Sequence, residues 1–165
     1  MPDVSPVSDV FEGAVDAIFI AEANGRPMNG LDKIIAVEGR GLEGDRYFNK
    51  TGTYSKDLGP ERQVTLIEVE AIEAVERDAG LQLDKAETRR NIVTRGVPLN
   101  HLVDREFTVG DAVFRGIELC EPCRHLSQIA EKSLIKPLVH RGGLNAEIIG
   151  GGTIRIGDTV RLRED

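Results

Sequence analysis

Apolar residues recur along this chain at two spacings, and each spacing predicts its own kind of element. Alternating or β-branched runs predict strands at Val15–Ala21, Lys33–Val37, Gln63–Ile67 and Asn91–Thr94. Asn24-Gly25-Arg26-Pro27 has strong turn chemistry, so residues 14–37 read as a hairpin. Glu106–Val109, Gly110-Asp111 and Ala112–Leu119 predict a strand, a tight turn and a strand; Thr153–Ile156, Gly157-Asp158 and Thr159–Arg163 repeat the device. Helical spacing dominates Glu68–Ala79, where Ala71, Ile72, Val75 and Ala79 share a face and Gly80 stands at the C-terminal cap position. A shorter helix is predicted over Leu126–Lys132. Residues 38–62 are broken by glycines and polar residues, which predicts a long loop that is functional or disordered.

Many short strands, two Gly-Asp turns and one good helix favour a mainly β fold with helices, a closed antiparallel β-barrel with a few peripheral helices. The parallel alternation of a doubly wound sheet is missing. Residues 1–13 predict a loosely held arm, and residues 14–165 a single domain.

Charge narrows the function classes. A formal net charge of -7 argues against general nucleic-acid binding, though not against a local basic pocket. No run approaches the roughly 18 apolar residues of a membrane span, and the acidic start does not resemble a secretory leader. These features predict a soluble, unprocessed cytoplasmic protein. Two cysteines are too few for a disulfide scaffold.

Those two cysteines stand three apart in Leu119-Cys120-Glu121-Pro122-Cys123-Arg124-His125. Arg124 and His125 favour a thiolate, the nucleophilic and soft-metal-binding form. Burial as small apolar side chains is the plain alternative, against which Glu121, Pro122 and Arg124 are poor core neighbours. A thioredoxin-like dithiol requires a βαβ frame. A zinc site requires two more ligands, with His101, His125 and His140 as the available imidazoles. The third version is one thiolate that binds a soft high-valent metal or carries sulfur.

Thr88-Arg89-Arg90-Asn91 places two guanidinium forks and an amide at a strand start, suited to phosphate or carboxylate. Taken alone, it reads better as a solvated edge that guards the strand against mispairing. His101 and His140 are isolated and receive no role. The loop Gly39–Tyr47, with Gly44-Asp45-Arg46, lacks the Gly-Lys-Ser/Thr ending of a P-loop; its glycines permit close approach to a ligand.

In order, Gly44-Asp45-Arg46, Gln63–Glu68, Arg90–Thr94, Val109-Gly110-Asp111-Ala112, Pro122-Cys123, Arg141–Ala146 and Gly151–Val160 resemble a MOSC domain, the C-terminal domain of molybdenum cofactor sulfurase. The resemblance runs from about residue 14 to 163. It implies a β-barrel that binds molybdenum cofactor (molybdopterin) or handles its sulfur, as a small bacterial-type member without the N-terminal extension of amidoxime-reducing relatives. It assigns Cys123 as the catalytic cysteine and metal ligand. Cofactor binding falls to Arg89, Arg90, Asn91, Arg46, Asp45 and Arg124. The implied activity is reduction of N-hydroxylated substrates or sulfur carriage. The alternative is a non-catalytic sulfur or cofactor carrier that delivers to a partner molybdoenzyme. The partners implied are a cysteine desulfurase, an electron-donor reductase or a molybdoenzyme. The family is associated with pyridoxal-phosphate sulfur donors, but no pyridoxal phosphate is expected in this chain. A structural module with a Cys120–Cys123 redox switch is the remaining rival.

Overall fold

Strands here split their side chains between two apolar environments, and that division builds the fold. The computed structural model describes residues 11–23, 25–49, 63–121, 138 and 140–163. The elements are β1 (Gly13–Ile20), β2 (Asn29–Leu31), β3 (Lys33–Val37), β4 (Gly41–Leu42), β5 (Val64–Glu68), α1 (Val69–Ala79), β6 (Ile92–Arg95), β7 (Glu106–Val109), β8 (Ala112–Leu119), β9 (Leu144–Gly150), β10 (Gly152–Arg155) and β11 (Thr159–Leu162). In β5 and β6, Leu66 and Ile92 point into the main core with Phe107, Phe114 and Val160, while Ile67 and Val93 point outward to Ile72, Val75 and Leu138. This is the period-2 alternation of a barrel wall covered on one outer face by a helix.

The wall runs β11-β7-β8-β9-β5-β6-β1 and closes through β1 and β11, where Gly13 pairs with Val160 and Ala14 with Thr159. Closure removes the open edges of a flat sheet. Register shifts in β1 (between Val15 and Ala17) and in β8 mark bulges where the wall bends. The barrel is mixed rather than antiparallel. β5 and β6 run parallel, with Leu66 opposite Ile92, because α1 carries the chain back to the end where β5 began. A βαβ unit is therefore present after all.

α1 follows its predicted span, and Gly80 caps it at φ 67° with its N–H on the Glu76 carbonyl. Its buried face ends at Val75; Ala79, expected on that face, is exposed. The β7–β8 hairpin also matches, with Val109 opposite Ala112. The other expected hairpins are rearranged. β1 pairs with β2, not with β3; after Asp32 the chain turns β3 into a second sheet, β10-β3-β4. The turn at Gly157-Asp158 exists, tied by Asp158 N–H to the Arg155 carbonyl, but β10 goes to the small sheet and β11 to the barrel. That turn is a corner between sheets. β9 has no counterpart in the predicted elements, although it is the central strand between β8 and β5. The small sheet's inward residues, Ile34, Ala36, Leu42 and Ile154, join the barrel core. The predicted arm up to residue 10, most of the long loop (residue 50 onward) and the Leu126–Lys132 helix lie outside the described residues. No described helix is long and apolar enough to cross a membrane.

Candidate functional site

The parallel pairing of β5 and β6 puts their N-terminal ends together, beside the last residues of β1. Asn91 stitches this end closed. Its side-chain oxygen accepts the Thr65 N–H at 3.0 Å and the Thr65 hydroxyl at 3.2 Å, and its amide donates to the Phe19 carbonyl at 3.1 Å. The side chain acts as a short extension of the strand ladder, fully buried. The amide that the family resemblance assigned to cofactor is thus engaged with the backbone of β1 and β5.

Asp45 organises the neighbouring loop. Fully buried, its Oδ1 accepts the Ala21 N–H at 3.1 Å and Arg46 Nη1 at 3.2 Å, and its Oδ2 accepts the Tyr47 N–H at 3.3 Å. Arg46 lies over the Tyr47 ring, 4.5 Å from its centroid, and its Nη2 donates to the Arg89 carbonyl at 3.1 Å. Residues 43–44 positions apart in sequence meet here because β1 and β4 deliver the loop to the end of β6.

Arg89 is the residue under most constraint. It ends the 3₁₀ turn Lys85–Thr88 in the left-handed region at φ 61°, a conformation that costs an L-residue about 1–2 kcal/mol. Its side chain is buried, with Nη1 on the Arg26 carbonyl and Nη2 without a hydrogen-bond partner among the described residues. Burial and then the Arg46 charge push its guanidinium pKa down, against the opposing pull of Tyr47 and Asp45. One carboxylate, Asp45, faces two guanidinium groups. The trio is positive, buried, and holds a donor aimed at nothing in the described chain, which suits an added anion.

Arg90 turns the other way. Nε donates to the Gly142 carbonyl at 2.8 Å and Nη2 to the Cys120 carbonyl at 3.2 Å. Both arginines are buried, so the reading of this stretch as a solvated edge does not hold. Cys120 follows β8, is partly exposed, and pairs its N–H with the Gly143 carbonyl at 2.7 Å. Next to it, the Glu121 carboxylate accepts the His140 N–H at 3.0 Å and lies 3.4 Å from His140 Nδ1. Cys123 and Arg124 lie outside the described residues.

Arg46, Asp45, Arg89, Arg90 and Asn91 therefore meet at one end of the barrel, and Arg90 reaches the backbone at Cys120. Two contributors were not singled out beforehand. His140, taken as isolated, belongs to the Cys120–Glu121 stem, and Arg26, read as part of a turn, supplies the carbonyl that holds Arg89. No cluster of three or more His, Cys, Asp or Glu able to hold a metal occurs among the described residues.

The profile of the MOSC domain matches residues 53–161. Among solved structures, the YuaD protein of Bacillus subtilis is similar at a TM-score of 0.75 and 16% identity, covering 90% of this chain and 94% of that one. The YiiM protein of Geobacillus stearothermophilus gives 0.71 and 12%, covering 92% and 75%. Its Escherichia coli namesake gives 0.65 and 20%, covering 93% and 70%. At these identities the likeness concerns the fold. No curated protein matches the chain in sequence.

Proposed function

The chain belongs to the MOSC domain family, which is associated with the molybdenum cofactor, and from that premise we propose that it binds this cofactor at the Arg89 end of the barrel. The observation that carries the reading is the buried Arg89 Nη2 beside Arg46, which has no hydrogen-bond partner among the described residues. An anionic group such as the pterin phosphate would accept from Nη2 and offset the excess positive charge. Asp45 fixes Arg46 in place, and Asn91 fixes the strand start from which Arg89 projects. Cys123 supplies the thiolate for molybdenum, whose softness suits sulfur, and Arg124 beside it in sequence favours the ionised thiol. When bound, the cofactor supplies redox chemistry at molybdenum or a centre for sulfur transfer. The protein's own part is to bind the anion, orient the thiolate and keep it ionised. Reduction of N-hydroxylated compounds and delivery of sulfur or cofactor to a partner molybdoenzyme both draw on that arrangement.

The test is metal analysis of full-length protein purified under reducing conditions from a host that makes the cofactor. Wild type is expected to carry molybdenum, and Cys123→Ala and Arg89→Ala to lose most of it. Absence of molybdenum from wild type, or full retention in Cys123→Ala, overturns the assignment. Turnover of a hydroxylamino compound with an added reductase marks the enzyme; persulfide on Cys123 after incubation with a cysteine desulfurase marks the carrier.

A further inference from the structure

We propose that the outer face of the small sheet is a second binding site, suited to a small organic oxyanion carried on a short apolar body. Alternation along β3 and β10 sets it up. Ile34 and Ile154 are buried and join the barrel core, so Lys33 and Ile35 on β3 and Thr153 and Arg155 on β10 share the opposite face. The antiparallel register then pairs them: Lys33 stands directly opposite Arg155, and Ile35 opposite Thr153. Glu43, whose N–H donates to the Ile35 carbonyl at 3.0 Å, borders the other side of β3. These five residues and Ile34 line a cavity of about 310 Å³, at the small end of the range that takes small molecules. Asp45, Arg46, Arg89, Arg90 and Asn91 do not line it.

Two features of this face work against the stability of the chain alone. Like charges directly opposite in an antiparallel pair repel, with Cβ atoms about 4.5–5.5 Å apart. Arg155 is only weakly compensated: its Nη1 lies 3.9 Å from Asp111 Oδ2, and both side chains are more than half exposed. The Asp158 carboxylate is engaged with the Arg155 backbone N–H at 2.7 Å. Lys33 forms no ion pair among the described residues. The second feature is Ile35, 48% exposed and one of two large apolar side chains left so open among the described residues.

One ligand answers both. An oxyanion between Lys33 and Arg155 removes their repulsion, and an apolar tail over Ile35 takes that side chain out of water. The Thr153 hydroxyl, on the same face as Arg155, adds a neutral donor. Glu43 restricts the choice, because its carboxylate repels a second negative charge at the far end of the tail. The fit is therefore to an acid with one charged head and not to a diacid. Carboxylates and phosphate monoesters share this chemistry.

The test titrates the isotope-labelled full chain with hexanoate, hexyl phosphate, adipate, hexanol and inorganic phosphate, read by NMR at the Lys33, Ile35, Thr153 and Arg155 amides. Hexanoate or hexyl phosphate is expected to give saturable shifts there, and the tighter of the two identifies the head group. Adipate, hexanol and inorganic phosphate are each expected to bind these amides at least about fivefold more weakly. Lys33→Gln and Arg155→Gln are expected to weaken the preferred ligand at least about fivefold and Ile35→Thr about threefold, with Lys33→Arg within about twofold of wild type. Glu43→Gln is expected to bring adipate to within about twofold of hexanoate. The thermal midpoint of Lys33→Gln is expected to equal or exceed that of wild type, because the cross-strand repulsion is gone. No saturable shift at these amides, equal affinity for hexanol, or unchanged affinity in Lys33→Gln and Arg155→Gln overturns the proposal. So does a Lys33→Gln midpoint lowered by more than about 3 °C, which would make Lys33 a structural residue. The site shares no residue with the Arg89 end, so its failure leaves the cofactor reading untouched.

Discussion

Asn91 and Thr65 hold two parallel strands together through paired bonds in both directions: Asn91 Oδ1 accepts the Thr65 N–H and hydroxyl, and Asn91 N–H reaches Thr65 Oγ1 at 3.1 Å. Both residues are buried, so the bonds have no solvent replacement. Asn91→Ala is expected to cost about 3 kcal/mol, because it strands the Thr65 N–H and the Phe19 carbonyl. Asn91→Asp should cost at least as much, since a carboxylate cannot donate to Phe19. Urea denaturation checks both; a loss below about 1 kcal/mol for Asn91→Ala would show that the strands hold without the stitch.

Arg89 combines a strained backbone with a buried charge. Arg89→Gly relieves the left-handed conformation, worth about 1–2 kcal/mol, and removes the desolvated guanidinium, while keeping the carbonyl that Arg46 uses. The vacated space and the lost bond to Arg26 offset that gain. Stability is expected to stay within about 1 kcal/mol of wild type, while molybdenum content collapses. A destabilisation above about 3 kcal/mol would instead make the guanidinium a structural brace.

Local patterns carried what is local. Ala71, Ile72 and Val75 announced α1, and Gly110-Asp111 with its flanking alternation announced the β7–β8 hairpin. Partners were less legible. Lys33–Val37 is a strand, but nothing near it says that Thr153–Arg155 lies alongside. β9 was obscured by Gly142-Gly143 and Gly150-Gly151-Gly152, although Leu144, Ala146 and Ile148 alternate into the core within it. The arginines were the hardest. A guanidinium in sequence reads as solvated, yet Arg46, Arg89 and Arg90 are buried and donate to backbone carbonyls at residues 89, 26 and 142, distant from them in the chain. The family resemblance placed these residues in a site; the carbonyls that hold them could come only from the fold.

Gly143 sits where β9 begins, directly against β5. At φ 116° it occupies a region that L-residues avoid, and a Cβ there would run into the Leu66 carbonyl oxygen. Leu66 is fixed in the parallel ladder opposite Ile92 and cannot yield cheaply. Gly143→Ala is expected to destabilise by about 3 kcal/mol or more and to disturb the Cys120–Gly143 bond with it. Thermal denaturation together with Cys120 amide exchange checks this. A fold of unchanged stability would mean that β9 shifts freely along β5.

Glu68 lies at the opposite end of β5, across from Thr94, and preludes α1. Burial first, and then the nearby Glu70 charge, raise its pKa from 4.5 to about 7, with the Leu99 N–H pulling the other way. Raised in the fold, the group holds its proton there between pH 4.5 and 7 while the unfolded chain has released it. Stability should therefore fall as pH rises through that window and level off above it. Glu68→Gln keeps an acceptor for Leu99 and removes the charge. Because Glu68 is partly exposed, the gain is discounted to about 1–2 kcal/mol at pH 8, shrinking to near zero at pH 4. Denaturation midpoints at pH 4, 6 and 8 check the trend. An equal gap at every pH would trace the effect to packing and not to the charge.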